Sequence, residues 1–189
     1  MSSNRKDLSN CKNIGEREEE FEGGEEKKQL EGLFVSDNES LHDSLLMKML
    51  HKCNSLNYFV VMGCTKLTDA SLSKVSQMCP HLNLFDFSNC HLATDKSLAS
   101  LCEAKALEIL KLRNVAGIST DGVNVVLKSC TRLTTLVLSN CWPVNDNIGP
   151  ALKSHPSLTS CSLSGTLCTI KQARIWSSEF LKINLKGLK

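Results

Sequence analysis

One phrase of apolar and polar positions recurs along most of the chain. Cys79-Pro-His-Leu82-Asn-Leu-Phe85-Asp-Phe87-Ser-Asn-Cys90 matches Cys53-Asn-Ser-Leu56-Asn-Tyr-Phe59-Val-Val61-Met-Gly-Cys64 upstream and Cys130-Thr-Arg-Leu133-Thr-Thr-Leu136-Val-Leu138-Ser-Asn-Cys141 downstream. Ala104-Lys-Ala-Leu107-Glu-Ile-Leu110-Lys-Leu112-Arg-Asn-Val115 and His155-Pro-Ser-Leu158-Thr-Ser-Cys161-Ser-Leu163-Ser-Gly-Thr166 carry the same spacing, and Leu30-Glu-Gly-Leu33-Phe-Val35-Ser-Asp-Asn38 opens the series. The anchors Leu30, Leu56, Leu82, Leu107, Leu133 and Leu158 are 26, 26, 25, 26 and 25 residues apart. Six units in register mark a repeat architecture, in which each unit buries its apolar face only against its neighbours.

Within a unit the alternation after the anchor leucine has the two-residue period of a short strand. The chain then turns and meets a Thr-Asp or Asn-Asp pair: Thr68-Asp69, Thr94-Asp95, Thr120-Asp121 and Asn145-Asp146. Helix-spaced apolar residues follow, such as Leu72 with Val75 and Leu98 with Leu101. A hydroxyl or amide there caps orphan helix amides, and the carboxylate suits the positive helix end. Each unit therefore reads as strand, turn and helix, and the predicted class is α/β, with six parallel strands side by side. Cys64, Cys90 and Cys141 stand at the turn, where Asn38 stands in the first unit; Cys53, Cys79 and Cys130 stand at the helix end, where Ala104 replaces them. Small residues exchanging at one place point to packing, since a buried thiol is a compact hydrophobe with a weak donor.

This phrase resembles the leucine-rich repeat in its cysteine-containing form, found in F-box/leucine-rich-repeat proteins and the antagonist of mitotic exit network family. The resemblance implies a ribonuclease-inhibitor-like solenoid with its parallel sheet on the concave face, over residues 29–166. It also implies protein binding on that face, as substrate recognition for an SCF-type ubiquitin ligase with Skp and cullin subunits as partners. The alternative is a stand-alone adaptor or regulatory scaffold without a ligase role. An F-box needs around forty residues with an apolar core and usually opens near a Leu-Pro pair, and this sequence has no Leu-Pro.

Positions between the anchors point to the concave side. One row reads Gly32, Tyr58, Leu84, Ile109, Thr135 and Ser160; the next Phe34, Val60, Asp86, Lys111, Val137 and Ser162; the third Ser36, Met62, Ser88, Arg113, Ser139 and Ser164. Apolar residues gather where polar ones belong, and contiguous exposed apolar surface marks an interaction site. The expected partner-binding residues are Phe34, Tyr58, Val60, Met62, Leu84, Asp86, Ile109, Lys111, Arg113 and Val137, with the strongest region in the first four strands.

Composition removes other classes. Of 189 residues, 22 are Lys or Arg and 20 Asp or Glu, so the net charge of +2 does not suit a dedicated nucleic-acid binder. No apolar run is long enough to span a membrane, and the polar N-terminus lacks a secretory signal. Ten cysteines without any C-x-x-C pair suggest neither zinc nor, without export, a disulfide framework. No G-x-S-x-G, P-loop or H-E-x-x-H is present, so no catalytic, cofactor or metal residues are expected, and the chain reads as a cytoplasmic or nuclear monomer. Residues 1–28, with six basic and eight acidic side chains, read as a charged disordered tail. Residues 167–189 read as a C-terminal cap, with Ile170, Ala173, Trp176 and Phe180 at helical spacing.

Overall fold

Three-residue strands and short helices make up the computed structural model, which describes residues 4–9, 30–53, 55–179 and 184–186. The strands are β1 (Arg5–Asp7), β2 (Gly32–Phe34), β3 (Tyr58–Val60), β4 (Leu84–Asp86), β5 (Ile109–Lys111), β6 (Thr135–Val137), β7 (Ser160–Ser162) and β8 (Asn184–Lys186). They form one open parallel sheet in chain order. Between them lie α1 (Asp43–Lys52), α2 (Asp69–Leu72), α3 (Val75–Met78), α4 (Asp95–Ala99), α5 (Thr120–Ser129), α6 (Gly149–Ser154) and α7 (Ile170–Glu179).

Register follows from the repeat. Leu33, Phe59, Phe85, Leu110, Leu136 and Cys161 lie side by side on successive strands and are fully buried. Phe59 stacks on Phe85 at 5.5 Å between ring centres, and Phe87 tilts against Phe85 at 4.8 Å. These rings form a spine in a core otherwise made mainly of Leu, Val, Ile and Cys. The helix residues read from spacing, including Leu72, Val75, Leu98, Leu101, Val126 and Leu152, all close that core from the other side.

The sheet has eight strands, not six, because both ends contribute one. Residues 4–9 depart from the expected tail: β1 pairs with β2, Leu8 is buried, and the Leu8 amide donates to the Phe34 carbonyl at 2.7 Å. The cause is legible: Asp7-Leu8-Ser9-Asn10-Cys11 repeats Asp86-Phe87-Ser88-Asn89-Cys90, displaced by an irregular step of 27 residues from Leu8 to Val35 where Val35 to Val61 is 26. The rest of that expected tail, residues 1–3 and 10–28, lies outside the described residues. At the other end α7 places Trp176 against Gly149, where a β-carbon would come within 2.6 Å of the indole nitrogen. Ile170 is exposed rather than packed with it. The side chains of Ala173 and Phe180 lie outside the described set.

Three ladders join neighbouring repeats. The first is made by the helix-start aspartates. Thr68, Thr94 and Asn145 cap their own helices, as expected. The carboxylates do more than face a helix end. Asp69 accepts from the amide and hydroxyl of Thr94, at 2.8 and 2.6 Å, and from both donors of Ser97. Asp43 serves Thr68 and Ser71 in the same way, Asp95 serves Ser119, and Asp146 serves Thr169. Burial works to raise the Asp43 and Asp69 carboxyls, but these hydrogen bonds outweigh it and hold both below the ordinary carboxylate value. The pair Thr120-Asp121 is displaced by one residue: Ser119 caps α5, Thr120 takes the ladder place by accepting from the Asn145 amide, and Asp121 is exposed.

The second ladder runs through the turns. Asp37, Gly63, Asn89, Asn114, Asn140 and Gly165 all have positive φ, one per repeat, a conformation Gly and Asn tolerate best. Asn114 donates to the Asn89 side chain at 2.7 Å and Asn140 to the Asn114 side chain at 2.6 Å. The third is made by thiols. Cys64, Cys90 and Cys141 each donate to a carbonyl of the preceding repeat, Val35, Val61 and Leu112, at 3.0, 3.3 and 2.8 Å. Cys130 donates to the Leu101 carbonyl at 3.1 Å. All nine described cysteines are free thiols. Burial pushes Cys90 up to about 12 and Cys64 and Cys141 to about 11, so the thiols stay protonated. His155 stands at the helix-end position of Cys130: its Nδ1 accepts from the Ser157 and Leu158 amides, which leaves Nε2–H to donate to the Cys130 carbonyl at 3.1 Å.

Candidate protein-binding face

Strand residues alternate between two faces, so every inward anchor sends its neighbours to the concave side. Tyr58, Leu84 and Ile109 are register partners on β3, β4 and β5, and Phe34, Val60, Asp86, Lys111 and Val137 are partners from β2 to β6. The third row continues past the strands through backbone bonds, Gly63 to Ser88, Asn89 to Arg113 and Asn114 to Ser139. The structure therefore places all ten expected residues in three adjoining rows on one face.

Their environments differ. Phe34, Tyr58, Val60, Met62, Leu84, Ile109 and Val137 are half-buried. Arg5 on β1 reaches across Gly32 and lays its guanidinium over the Tyr58 ring, 4.5 Å from its centre. One face of the expected anchor is thus taken by the chain itself, a consequence of the strand that the tail reading omitted. Asp86 departs furthest from expectation. It is 6 % exposed, accepts from the Ser88 amide at 3.0 Å and lies 3.8 Å from Lys111, so it orders this face from beneath. Arg113 is exposed, and among the described residues it meets no carboxylate. Toward the C-terminus the face turns to hydroxyls, with Ser139 and Ser162 bonded to each other at 2.8 Å.

The most exposed apolar side chains lie elsewhere. Leu92, Trp142 and Leu167 are 53, 58 and 59 % exposed, on the turns leading from strands to helices. In the repeat phrase they follow the turn cysteine or its substitute, beside the earlier unit's Thr65-Lys66. The change from Lys66 to Leu92, and from Thr65 to Trp142 and Leu167, was the available signal for this edge strip. Among the described residues no group of three or more His, Cys, Asp or Glu is placed to hold a metal, and no helix is long and apolar enough to cross a membrane. An open groove lined by Asp146, Pro150, Lys153, Gln172 and Trp176 separates α6 from α7.

No family model matches the chain, and no curated protein matches its sequence. Solved structures do. A chain in the crystal structure of the Rad7 and Elc1 complex in yeast superposes with a TM-score of 0.66 at 17 % identity, over 84 % of this chain and 48 % of that one. The internalin InlF from Listeria monocytogenes superposes with a TM-score of 0.53 at 16 % identity, over 95 % of this chain and 57 % of that one. This chain spans about half the length of these structural neighbours. At such identities the likeness concerns architecture: the fold is an α/β leucine-rich-repeat solenoid.

Proposed function

We propose that this chain is a protein-interaction module that binds a partner on its concave face. The observation carrying the reading is the row Tyr58, Leu84 and Ile109, three large side chains in register on the outward side of the sheet and half-open to solvent. Solvated strand positions are ordinarily polar, and apolar surface kept there serves contact. The pathway we favour is substrate recognition for an SCF-type ubiquitin ligase, from the resemblance to F-box/leucine-rich-repeat proteins. That a structural neighbour was solved in complex with Elc1 supports protein binding as a use of this fold. A stand-alone adaptor is the second reading, since a repeat surface by itself suffices to hold a partner.

A tagged pull-down from cell extract with mass-spectrometric identification tests both. The natural chain is compared with the double variant Leu84→Lys, Ile109→Glu, in which opposite charges on neighbouring strands keep the sheet paired. Skp and cullin subunits recovered with the natural chain favour the ligase. Another protein recovered alone, and lost in the variant, favours the adaptor. Identical recovery by both chains sinks the concave-face reading.

A further inference from the structure

The concave face joins two chemistries at one place, and their spacing describes what fits there. Leu84 and Ile109 form an apolar floor on neighbouring strands. Ile109, Lys111 and Arg113 follow one another on the same side of β5 and its extension. Lys111 lies 3.8 Å from buried Asp86, so its charge is partly answered. Arg113 has no such answer among the described residues, and its neighbours in the row are Ser88 and Ser139. Asp86 is too buried to meet a ligand's cation, and Arg5 is engaged with Tyr58. The exposed field of this region is therefore positive, beside a half-open apolar floor.

We infer that the partner presents an extended segment with an apolar side chain on Leu84 and Ile109 and a carboxylate on Arg113. This rests on the concave-face reading above. Guanidinium is the side chain best shaped to hold such an anion through paired hydrogen bonds. Ile109 and Arg113 are four residues apart along β5 and the turn that extends it, at most about 13 Å, and the arginine side chain shortens the gap. An extended ligand rising about 3.3 Å per residue carries its anion two to four residues from its apolar anchor.

Phage-displayed random dodecapeptides selected on the full chain test this. Binders are then synthesised with the acidic residue intact or replaced by phosphoserine, glutamine or lysine. The expected binders pair an apolar residue with Asp or Glu at that spacing. Glutamine or lysine at the acidic position, and Arg113→Glu in the protein, each weaken binding about tenfold or more. The lysine peptide regains affinity for Arg113→Glu, which a merely unfolded variant would not allow. Phosphoserine binding more weakly than the acidic residue supports the carboxylate, and phosphoserine binding tighter overturns it in favour of a phosphoryl group. Binders lost with Leu84→Lys, Ile109→Glu but indifferent to Arg113→Glu overturn this inference and leave the concave-face reading standing. Binders indifferent to both variants overturn both, and a selection without binders overturns this one.

Discussion

The two faces of β3, β4 and β5 are made by alternate residues of the same short strands, yet they solve different problems. Inward, Phe59, Phe85 and Leu110 are fully buried, and neighbouring repeats are joined by carboxylate, asparagine or thiol contacts. Outward, Tyr58, Leu84 and Ile109 lean on each other without being covered. The interior gives each repeat its stability through its neighbours. The concave side is therefore free to vary, and it does: apolar toward the N-terminus, hydroxyl-bearing toward the C-terminus. Identity of residue type is kept where repeats join and released where a partner would be met.

The sharpest break of this contrast is within β4. Phe85→Ala removes a ring packed between Phe59 and Phe87 and should cost about 3–5 kcal/mol. Leu84→Ala, one residue away and half-buried, should cost about 1 kcal/mol. Urea unfolding followed by circular dichroism measures both. Equal losses would mean that the outward row is as structural as the inward one.

Next in size is the carboxylate ladder. Asp69→Ala strands the Thr94 and Ser97 donors and should cost about 1–3 kcal/mol. The same contact has a pH signature. The folded Asp69 carboxyl lies below its ordinary value of 3.8, because the Ser97 and Thr94 hydrogen bonds overcome the opposing effect of burial. A group depressed in the folded state contributes stability that is complete above the unfolded value and lost as pH falls through the folded one. The natural chain should therefore lose stability more steeply than Asp69→Ala below about pH 4. Parallel curves would show that the bonds do not discriminate between charged and protonated carboxyl.

Much of this contrast was readable before any coordinates, and the reason is physical. A period of 25 or 26 residues fixes register for every strand at once, so the outward rows followed from the anchor leucines alone. What escaped was whatever departed from the period or reached across it. Leu8 sits one residue out of step and next to a charged run, so β1, and with it the Arg5 contact on Tyr58, read as tail. Asp69 read as a helix-end charge because sequence spacing shows the helix it begins but not the repeat behind it. Asp86 read as outward, which its strand position is, but its carboxylate bonds to Ser88 and Lys111 along the face, and spacing carries no sign of that.

The smallest expected effect on stability separates the concave apolar row from the apolar turn edge. Trp142 is 58 % exposed on the turn edge, so Trp142→Ser should change stability by about 0.5 kcal/mol or less. Its value lies in binding. A partner seated on Leu84 and Ile109 should be captured equally by Trp142→Ser and the natural chain. Capture lost in Trp142→Ser and kept in Leu84→Lys, Ile109→Glu would move the interface from the sheet to the edge strip of Leu92, Trp142 and Leu167. The half-burial of Tyr58, Leu84 and Ile109 would then be no more than the packing of neighbouring side chains on a sheet. The two variants together assign the interface to one surface, because each leaves the other surface intact.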